Sequence, residues 1–478
     1  MKRRNTLFRS ALCGIAATVL LLSGCRSAES RAQEVFSQYQ SAEAAGDLVA
    51  ARNALVELVA IDDGVAAYWV ALGRVQLQLG QYGGAVNAFT RAYELDKSDV
   101  SVLGALIQLA LMSGNLDFAE DKARQLELIA PASPVIRLTA GFTALRRGNF
   151  DEAHRQAELI LASDPYEPTA KLLKARVLHA EGKVDDAIAL LTEQVRVRSA
   201  DLMSLQALIK LYQRQGDWAG VARTADQLSR NSPRNADVRL LYIEAAFRSG
   251  STDAARAASS DLLSPDAPTD VVDRVLALWA EHWPGREALA EARSRAAAAG
   301  IHQRLAYATY FNAAGAPDLA AALAGPAPQL PVTRGNMSAN AILARSQALR
   351  GQTGEAKQLF DAVLGYEPDH VYALRGRAEL YMATNRSKAA IRDAQRLISI
   401  SPASAQDRLL LARAYAAAGD RRHLGRTLWD AFHEIPGNEK VYKALRSYML
   451  THAGAEAARR VEEEFEQQRT VVFNREVV

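Results

Sequence analysis

The sequence has almost no cysteine and few aromatic residues for its length. Only two of its 478 residues are cysteine, Cys13 and Cys25, and both lie close to the N-terminus. A framework of disulfide bonds is therefore excluded for the rest of the chain. Aromatic side chains make up 7% of the residues, which does not favour a β-sandwich or a barrel, while 49% are hydrophobic and rich in alanine and aliphatic types. We therefore expect a fold stabilised by helix packing.

The sequence also lacks the short motifs that mark catalytic and cofactor sites. The eight histidines show no metal-ligand spacing, and His433-Glu434 is not followed by the second histidine of a zinc protease. No phosphate-binding glycine loop and no nucleophile elbow occurs. Clustered carboxylates such as Asp185-Asp186 are expected on solvated helix faces. We predict that the protein is not an enzyme and has no catalytic residue, metal or cofactor.

A short apolar run near the N-terminus, residues 11–22, follows four basic residues and leads into Leu22-Ser23-Gly24-Cys25. The pattern is typical of a secretory signal, and its end resembles the lipobox of bacterial lipoproteins. The resemblance implies cleavage before Cys25 and lipidation of that residue. We predict a signal peptide over residues 1–24 and a lipidated tether over residues 25–31. No thiol would then remain for a disulfide, a nucleophile or a metal.

Cleavage would also change the charge balance. The formal net charge of +3 depends on four basic residues within 1–24, so the mature chain would be slightly acidic. The charge therefore does not indicate nucleic-acid binding. Arg26 follows Cys25, whereas an aspartate there would resemble an inner-membrane retention signal. We predict that the lipid anchor holds the protein on the periplasmic face of the outer membrane.

The rest of the chain repeats with a period of 34 residues, and each period reads as two amphipathic helices. Glycine marks the break between the two helices, because it adopts the positive φ that ends a helix cheaply. Seven glycines follow one another at this interval: Gly46, Gly80, Gly114, Gly148, Gly182, Gly216 and Gly250. A second series runs through Gly351, Asn385, Gly419 and Ala453. A small residue stands five positions after most of them, where paired helices would touch.

The clearest repeat, residues 66–99, resembles the tetratricopeptide repeat. It carries Trp69-x2-Leu72-Gly73, then Gly80-x-Tyr82, and then the small and aromatic residues Ala85, Phe89 and Ala92. Such a unit cannot bury its own hydrophobic face and needs stacked copies. The resemblance implies an all-α fold, a right-handed α-solenoid of about 12–13 helix pairs.

The two series of breaks divide the chain. The first series stops after Gly250, and seven of the 15 prolines lie between residues 265 and 331. We predict an N-terminal array of seven repeats over 32–269 and degenerate repeats with a proline-rich loop over 270–336. A C-terminal array with a capping helix would follow over 337–472, before a tail over 473–478. The alternative for 270–336 is a bend between two arrays.

The resemblance also indicates where partners bind. In tetratricopeptide-repeat proteins the first helix of each unit lines a concave groove, with side chains at fixed positions facing inward. Carried over by position, the basic residues at the middle of the first groove are Arg146, Arg176, Lys210, Arg214 and Arg248. Phe142 and Phe247 are apolar inward neighbours. We predict that this partner-binding groove receives an extended segment that is acidic and partly hydrophobic. The alternative is an arginine-rich face that is merely solvated.

The function we expect is that of a lipid-anchored, periplasm-facing scaffold that mediates protein–protein interactions in an envelope assembly. The chain resembles repeat lipoproteins of tight-adherence pilus loci and of exosortase-linked loci. Pilus assembly or secretion is the first expectation, and a component of exopolysaccharide synthesis or export is the alternative. The repeat specifies the fold and the mode of binding but not the partner or the oligomeric state.

Overall fold

The computed structural model describes residues 29–233, 235–325 and 327–476. The predicted signal peptide and Cys25 lie outside these residues. The described part of the chain contains 26 α-helices and no β-strand. The helices follow one another in pairs, which confirms the predicted all-α solenoid of about 12–13 helix pairs.

The chain forms two compact units, and the first, unit 1, contains the described residues up to 181. Its helices are α1 (residues 29–44), α2 (Leu48–Ile61), α3 (Ala66–Gln78), α4 (Tyr82–Leu95), α5 (Val100–Met112), α6 (Leu116–Ile129), α7 (Pro134–Arg146), α8 (Phe150–Leu161) and α9 (Pro168–Ala180).

The second, unit 2, runs from Gly182 to Glu476. Its first helices are α10 (Val184–Val197), α11 (Leu202–Gln215), α12 (Trp218–Asn231), α13 (Ala236–Arg248), α14 (Thr252–Leu262), α15 (Thr269–His282), α16 (Arg286–Ala298), α17 (Ile301–Ala313) and α18 (Pro317–Ala324). The remaining helices are α19 (Met337–Leu349), α20 (Thr353–Tyr366), α21 (Val371–Ala383), α22 (Ser387–Ile400), α23 (Ala405–Ala417), α24 (Arg421–Glu434), α25 (Glu439–His452) and α26 (Ala455–Glu476).

The turn inside a helix pair is closed by a left-handed residue, as the repeat predicts. Gly148 has φ +74°, and the N–H of Asn149 then reaches back to the carbonyl of Ala144 at 2.9 Å. Asn385 takes the same role with φ +57°. The prediction is wrong at Ala453, which has φ −129°, because Gly454 adopts the left-handed conformation at φ +90° instead. Helix α25 extends to His452 to reach this glycine, since a left-handed alanine is costly.

Small residues bring the paired helices into contact. The side chains at the predicted contact position are fully buried, among them Ala51, Ala85, Ala119, Ala153, Ala187, Val221 and Ala255. Gly141 serves the same purpose inside α7, because a methyl group at this position would overlap the side chain of Leu173 on α9. The close approach of neighbouring helices therefore depends on residues without bulk.

The apolar core of unit 2 continues through residues 270–336. One cluster of buried side chains extends from Leu240 to Tyr415, and Trp279 lies fully buried within it. The indole N–H of Trp279 donates to the hydroxyl of Ser259 at 3.1 Å, so this buried polar group is satisfied. The helix pairs α15–α16 and α17–α18 occupy this region before the proline-rich loop.

The last helix is longer than the sequence predicts. Helix α26 continues to Glu476, so the predicted tail over 473–478 is helical over its described residues. No glycine or proline lies between Ala455 and Glu476 to end the helix earlier.

Candidate partner-binding site

The structure divides the five basic residues of the predicted groove between the two units. Arg146 lies in unit 1, in the last turn of α7, and donates to Asp117 at 2.8 Å and to Glu120 at 3.0 Å on α6. The hydrogen bond to Asp117 is the main cause that raises the pKa of this guanidinium further above its ordinary value. Arg146 is thus held at the surface of unit 1 by two carboxylates, and its contact with a partner stays a prediction.

Arg176, also in unit 1, is almost completely buried in α9. Its guanidinium carbon lies 5.2 Å from the centre of the Phe142 ring, within the range of a cation–π interaction. Burial lowers the pKa of Arg176 to about 10. Arg176 and Phe142 are each only 3% exposed, so both are part of the interior of unit 1 and present almost no surface to a partner.

The other three basic residues share one cleft in unit 2. Lys210 and Arg214 come from α11 and Arg248 from the end of α13, and they line a cleft of about 590 Å³ together with Trp218. We call these four residues the basic face. The opposite wall of the cleft consists of residues from the end of unit 2, namely Pro436, Gly437, Glu439, Tyr442, Phe465 and Glu466.

Arg248 is the best fixed member of the basic face. Its guanidinium carbon lies 3.5 Å from the centre of the Trp218 ring, which is close cation–π stacking. It donates to Glu244 on its own helix at 3.4 Å and to Glu439 on α25 at 2.9 Å. The stacking and the two ion pairs fix the direction of the guanidinium towards the cleft.

Phe247 does not contact this cleft. Its side chain is 7% exposed, belongs to the core of unit 2, and stacks on the ring of His282 at 6.2 Å between centroids. The aromatic rings at the cleft are instead those of Trp218 and Tyr442, and Phe465, itself only 5% exposed, stacks on Tyr442. Trp218 is absent from the predicted groove because it lies on the second helix of its pair, whereas the predicted groove residues come from first helices.

The inner side of unit 2 continues into two further clefts. The larger has a volume of about 1360 Å³ and lies between α13 and α15 on one side and α23 to α25 on the other. The smaller, of about 350 Å³, is lined by Arg345, Tyr372, Arg375 and Glu379, among others. These residues are absent from the predicted groove, although the inward positions of the first array, applied to the second array, predict them.

Ion pairs organise the smaller cleft. Glu379 on α21 pairs with Arg345 on α19 and lies 3.7 Å from Arg413 on α23. Arg375 donates twice to Asp407, at 2.6 Å and 2.9 Å. Burial lowers the pKa of Arg345. The charges of this face are therefore arranged in fixed pairs between successive first helices.

The described residues offer no obvious site for a metal ion. Nowhere in the described ranges do three or more histidine, cysteine, aspartate or glutamate side chains come together as metal ligands would. Of the helices that the structure describes, none combines the length and the apolar character needed to cross a membrane.

A stack of helix pairs whose inner side carries fixed charges and aromatic rings defines an α-solenoid scaffold for protein interactions. Family models of the tetratricopeptide repeat match along the chain. The N-terminal repeat region of Psidin matches residues 137–263, and two general repeat models match residues 37–100, 70–134 and 348–392. Together the matches extend over more than half of the sequence. The chain belongs to the tetratricopeptide-repeat proteins.

Two curated relatives come from cellulose synthase operons. The chain is 25% identical over 380 residues to cellulose synthase 2 operon protein C of Komagataeibacter xylinus, which covers 74% of this chain and 26% of that protein. It is 23% identical over 224 residues to cellulose synthase operon protein C of Pseudomonas fluorescens, covering 45% and 17%. The chain therefore spans about a quarter or less of the length of these relatives.

Solved repeat proteins resemble the chain at a low level. The Cut9–Hcn1 hetero-tetramer of the APC/C is 13% identical with a TM-score of 0.31, and the match covers 94% of this chain and 96% of that chain. Naa15/Naa10 bound to HypK is 14% identical with a TM-score of 0.30, covering 90% and 68%. Similarity at this level reflects only the repeated helix pair that these folds have in common.

Proposed function

We propose that this protein is a non-enzymatic scaffold, anchored by lipid at Cys25 to the periplasmic face of the outer membrane, that binds protein partners of an exopolysaccharide synthesis or export complex. The observation that carries the binding role is the basic face in unit 2. Three cations and an indole ring converge there on one cleft and outnumber the carboxylate of Glu244 on the same wall, which suits an acidic partner segment. The names of the two cellulose-operon relatives support the choice of pathway.

From the sequence alone we expect pilus assembly or secretion first and the exopolysaccharide role second. The cellulose-operon relatives reverse this order, because they share similarity over 74% of the chain in one case. Evidence for a role in pilus assembly would therefore contradict the proposal.

Deletion of the gene in its own bacterium tests the pathway. We expect the extracellular polysaccharide to fall severalfold while surface pili stay unchanged. The full chain should restore the polysaccharide, and a chain with Arg214→Glu and Arg248→Glu, produced at the same level, should not. Loss of pili with normal polysaccharide would overturn the proposed pathway in favour of pilus assembly.

The lipid anchor has a separate test. We expect Cys25→Ser to abolish both the incorporation of labelled lipid and the sedimentation of the protein with outer membranes, because no other thiol would remain after cleavage. Cys13→Ser serves as the control, since Cys13 lies in the predicted signal, and it should leave both unchanged. Variant Cys25→Ser protein that still sediments with outer membranes after a salt wash would show that the anchor is wrong.

A further inference from the structure

The last helix pair of unit 2, α25–α26, lies against helices that are far away in the sequence. Arg248 donates to Glu439 at 2.9 Å across 191 residues, and Lys440 donates to Glu281 at 2.7 Å across 159 residues. A third pair joins Arg214 to Glu466 at 3.8 Å. Unit 2 thus turns back on itself, and its end closes over the basic face. We call these three ion pairs the clasp.

The clasp is not needed for the solenoid itself. In a repeat array each pair is stabilised by its sequence neighbours, and α25–α26 has such a neighbour in α23–α24. Val441, Leu445, Val461 and Phe465 bury their side chains in a common cluster with Phe432 of α24. The apolar core contacts of the last pair are therefore made with its sequence neighbour, whereas the clasp consists of ion pairs.

The clasp is also weak. The carboxylate side chains of Glu439 and Glu466 are 44% and 47% exposed, and Lys440 is 65% exposed. The side chains of Arg248 and Arg214 are 23% and 24% exposed, so each of these two pairs is open to water on its carboxylate side. Ion pairs that water reaches contribute little each and are screened by salt. The cleft of about 1360 Å³ beside them shows that the two walls are not packed together. A competing ligand therefore has only a small free energy to overcome.

The chemistry of the clasp defines what such a ligand must offer. The end of unit 2 presents two carboxylates to the basic face, Glu439 to Arg248 and Glu466 to Arg214. Beside them the rings of Tyr442 and Phe465 stack with centroids 4.1 Å apart and planes 5° apart. The hydrogen bond with Lys443, followed by the one with Arg248, holds the pKa of Glu439 below its ordinary value, so this carboxylate is charged at neutral pH.

We propose that α25–α26 is an internal ligand of the basic face, and that an acidic partner segment carrying an aromatic residue binds there by displacing Glu439 and Glu466. The inference rests on the proposed role of the protein as a binding scaffold. It adds that the site is occupied by the chain's own carboxylates until a partner of the same chemistry competes for it. Arg248 keeps Glu244 and Trp218 as neighbours when Glu439 leaves, so its guanidinium stays fixed for the partner.

A peptide with the sequence of residues 461–468, Val-Glu-Glu-Glu-Phe-Glu-Gln-Gln, is a suitable probe. Its binding to the purified full chain is measured by fluorescence anisotropy at low salt. In E439Q/E466Q the internal carboxylates no longer compete, and we expect the peptide to bind about tenfold more tightly than to the wild type. The matched control is E456Q/E463Q, which removes two carboxylates of α26 that pair only within their own helix, and its affinity should equal that of the wild type.

Two further arms make the result specific. Arg214→Glu with Arg248→Glu should abolish peptide binding, and the same peptide with glutamine in place of glutamate should not bind to any variant. A chain whose clasp is locked by a crosslink should also fail to bind the peptide. For this test Lys440→Cys and Glu281→Cys are joined by a cleavable crosslinker, and Cys13→Ser and Cys25→Ser remove the other thiols. The crosslinked protein should bind the peptide only after the crosslinker is cleaved.

Equal affinity of E439Q/E466Q and E456Q/E463Q would overturn the internal ligand, as would undiminished binding by the crosslinked chain. These outcomes leave the proposed function untouched, because they concern purified protein and a peptide only. Conversely, tighter binding by E439Q/E466Q would stand even if deletion of the gene left the polysaccharide unchanged.

Discussion

Two glycines of unit 1 allow the backbone cost of the left-handed turn to be measured without interference from packing. Gly148 closes the turn between α7 and α8 with φ +74°, whereas Gly104 lies within helix α5. A methyl group at either position would meet no atom within 4 Å. The same substitution, glycine to alanine, therefore changes only the backbone energy at the two sites.

The two variants should change stability in opposite directions. An alanine in the left-handed conformation destabilises the folded chain by about 1–2 kcal/mol. Alanine also restricts the unfolded chain more than glycine does, and this effect stabilises the fold by about 0.4–1 kcal/mol. Gly148→Ala should therefore destabilise its repeat by about 1 kcal/mol. Gly104→Ala adopts ordinary helical angles and should stabilise α5 by about 0.5–1 kcal/mol.

A local assay is needed because a repeat array does not unfold as a single two-state unit. Hydrogen exchange followed by mass spectrometry reports each helix separately. We expect exchange in α7 and α8 to become about fivefold faster in Gly148→Ala, and exchange in α5 to slow in Gly104→Ala. Gly148→Asn is the intermediate control, since Asn385 adopts this conformation naturally. Changes of the same sign in Gly148→Ala and Gly104→Ala would refute the reasoning.

Three further predictions concern buried groups. Ala153→Glu buries a carboxylate at a fully buried position and should lower the local opening free energy of α7 and α8, measured by hydrogen exchange, by about 3 kcal/mol or more. Asp407→Asn breaks the ion pair with Arg375, and because the side chain of Asp407 is 0% exposed, the loss of stability should be about 3 kcal/mol. Asp369→Asn breaks the exposed ion pair with Arg396 and should lower the stability by at most about 1 kcal/mol. Equal losses in the two variants would contradict the role of burial. Burial raises the pKa of Asp407, but hydrogen bonds with Arg375 and Ser404 outweigh it and hold the pKa below its ordinary value. The stabilisation is therefore complete above about pH 4 and is lost as the pH falls below it, so the local stability of α21 and α23, followed by hydrogen exchange, should decline less steeply towards acid in Asp407→Asn.

The sequence predicts those parts of the fold that depend on local requirements. A left-handed turn needs glycine or asparagine, and a close helix contact needs a small side chain, so both recur at fixed intervals. The positive φ of Gly148 and Asn385 and the burial of Ala153 confirm this reasoning. It fails at Ala453, where one extra residue in α25 moves the turn to Gly454. A periodic pattern cannot show such a shift, because it assumes that every helix has the same length.

The site was less predictable than the fold. Position in the repeat indicates the helix face on which a residue lies but not how deeply its neighbours cover it. Arg176 and Phe142 lie at inward positions and are nevertheless buried, because the arginine folds over the ring. Trp218 was missed for the converse reason, since it reaches the cleft from a second helix.

The clasp lies outside the reach of any local pattern. The meeting of Arg248 with Glu439 depends on the rotation that each intervening helix pair adds, and a small change in every step accumulates over 191 residues. The proposed displacement would use the same accumulation, because small movements at many interfaces would add up to an open cleft without breaking any one of them. Ion pairs whose carboxylates are open to water are suited to such a closure, since they bring the walls together and can still be displaced from the basic face by a stronger acidic ligand.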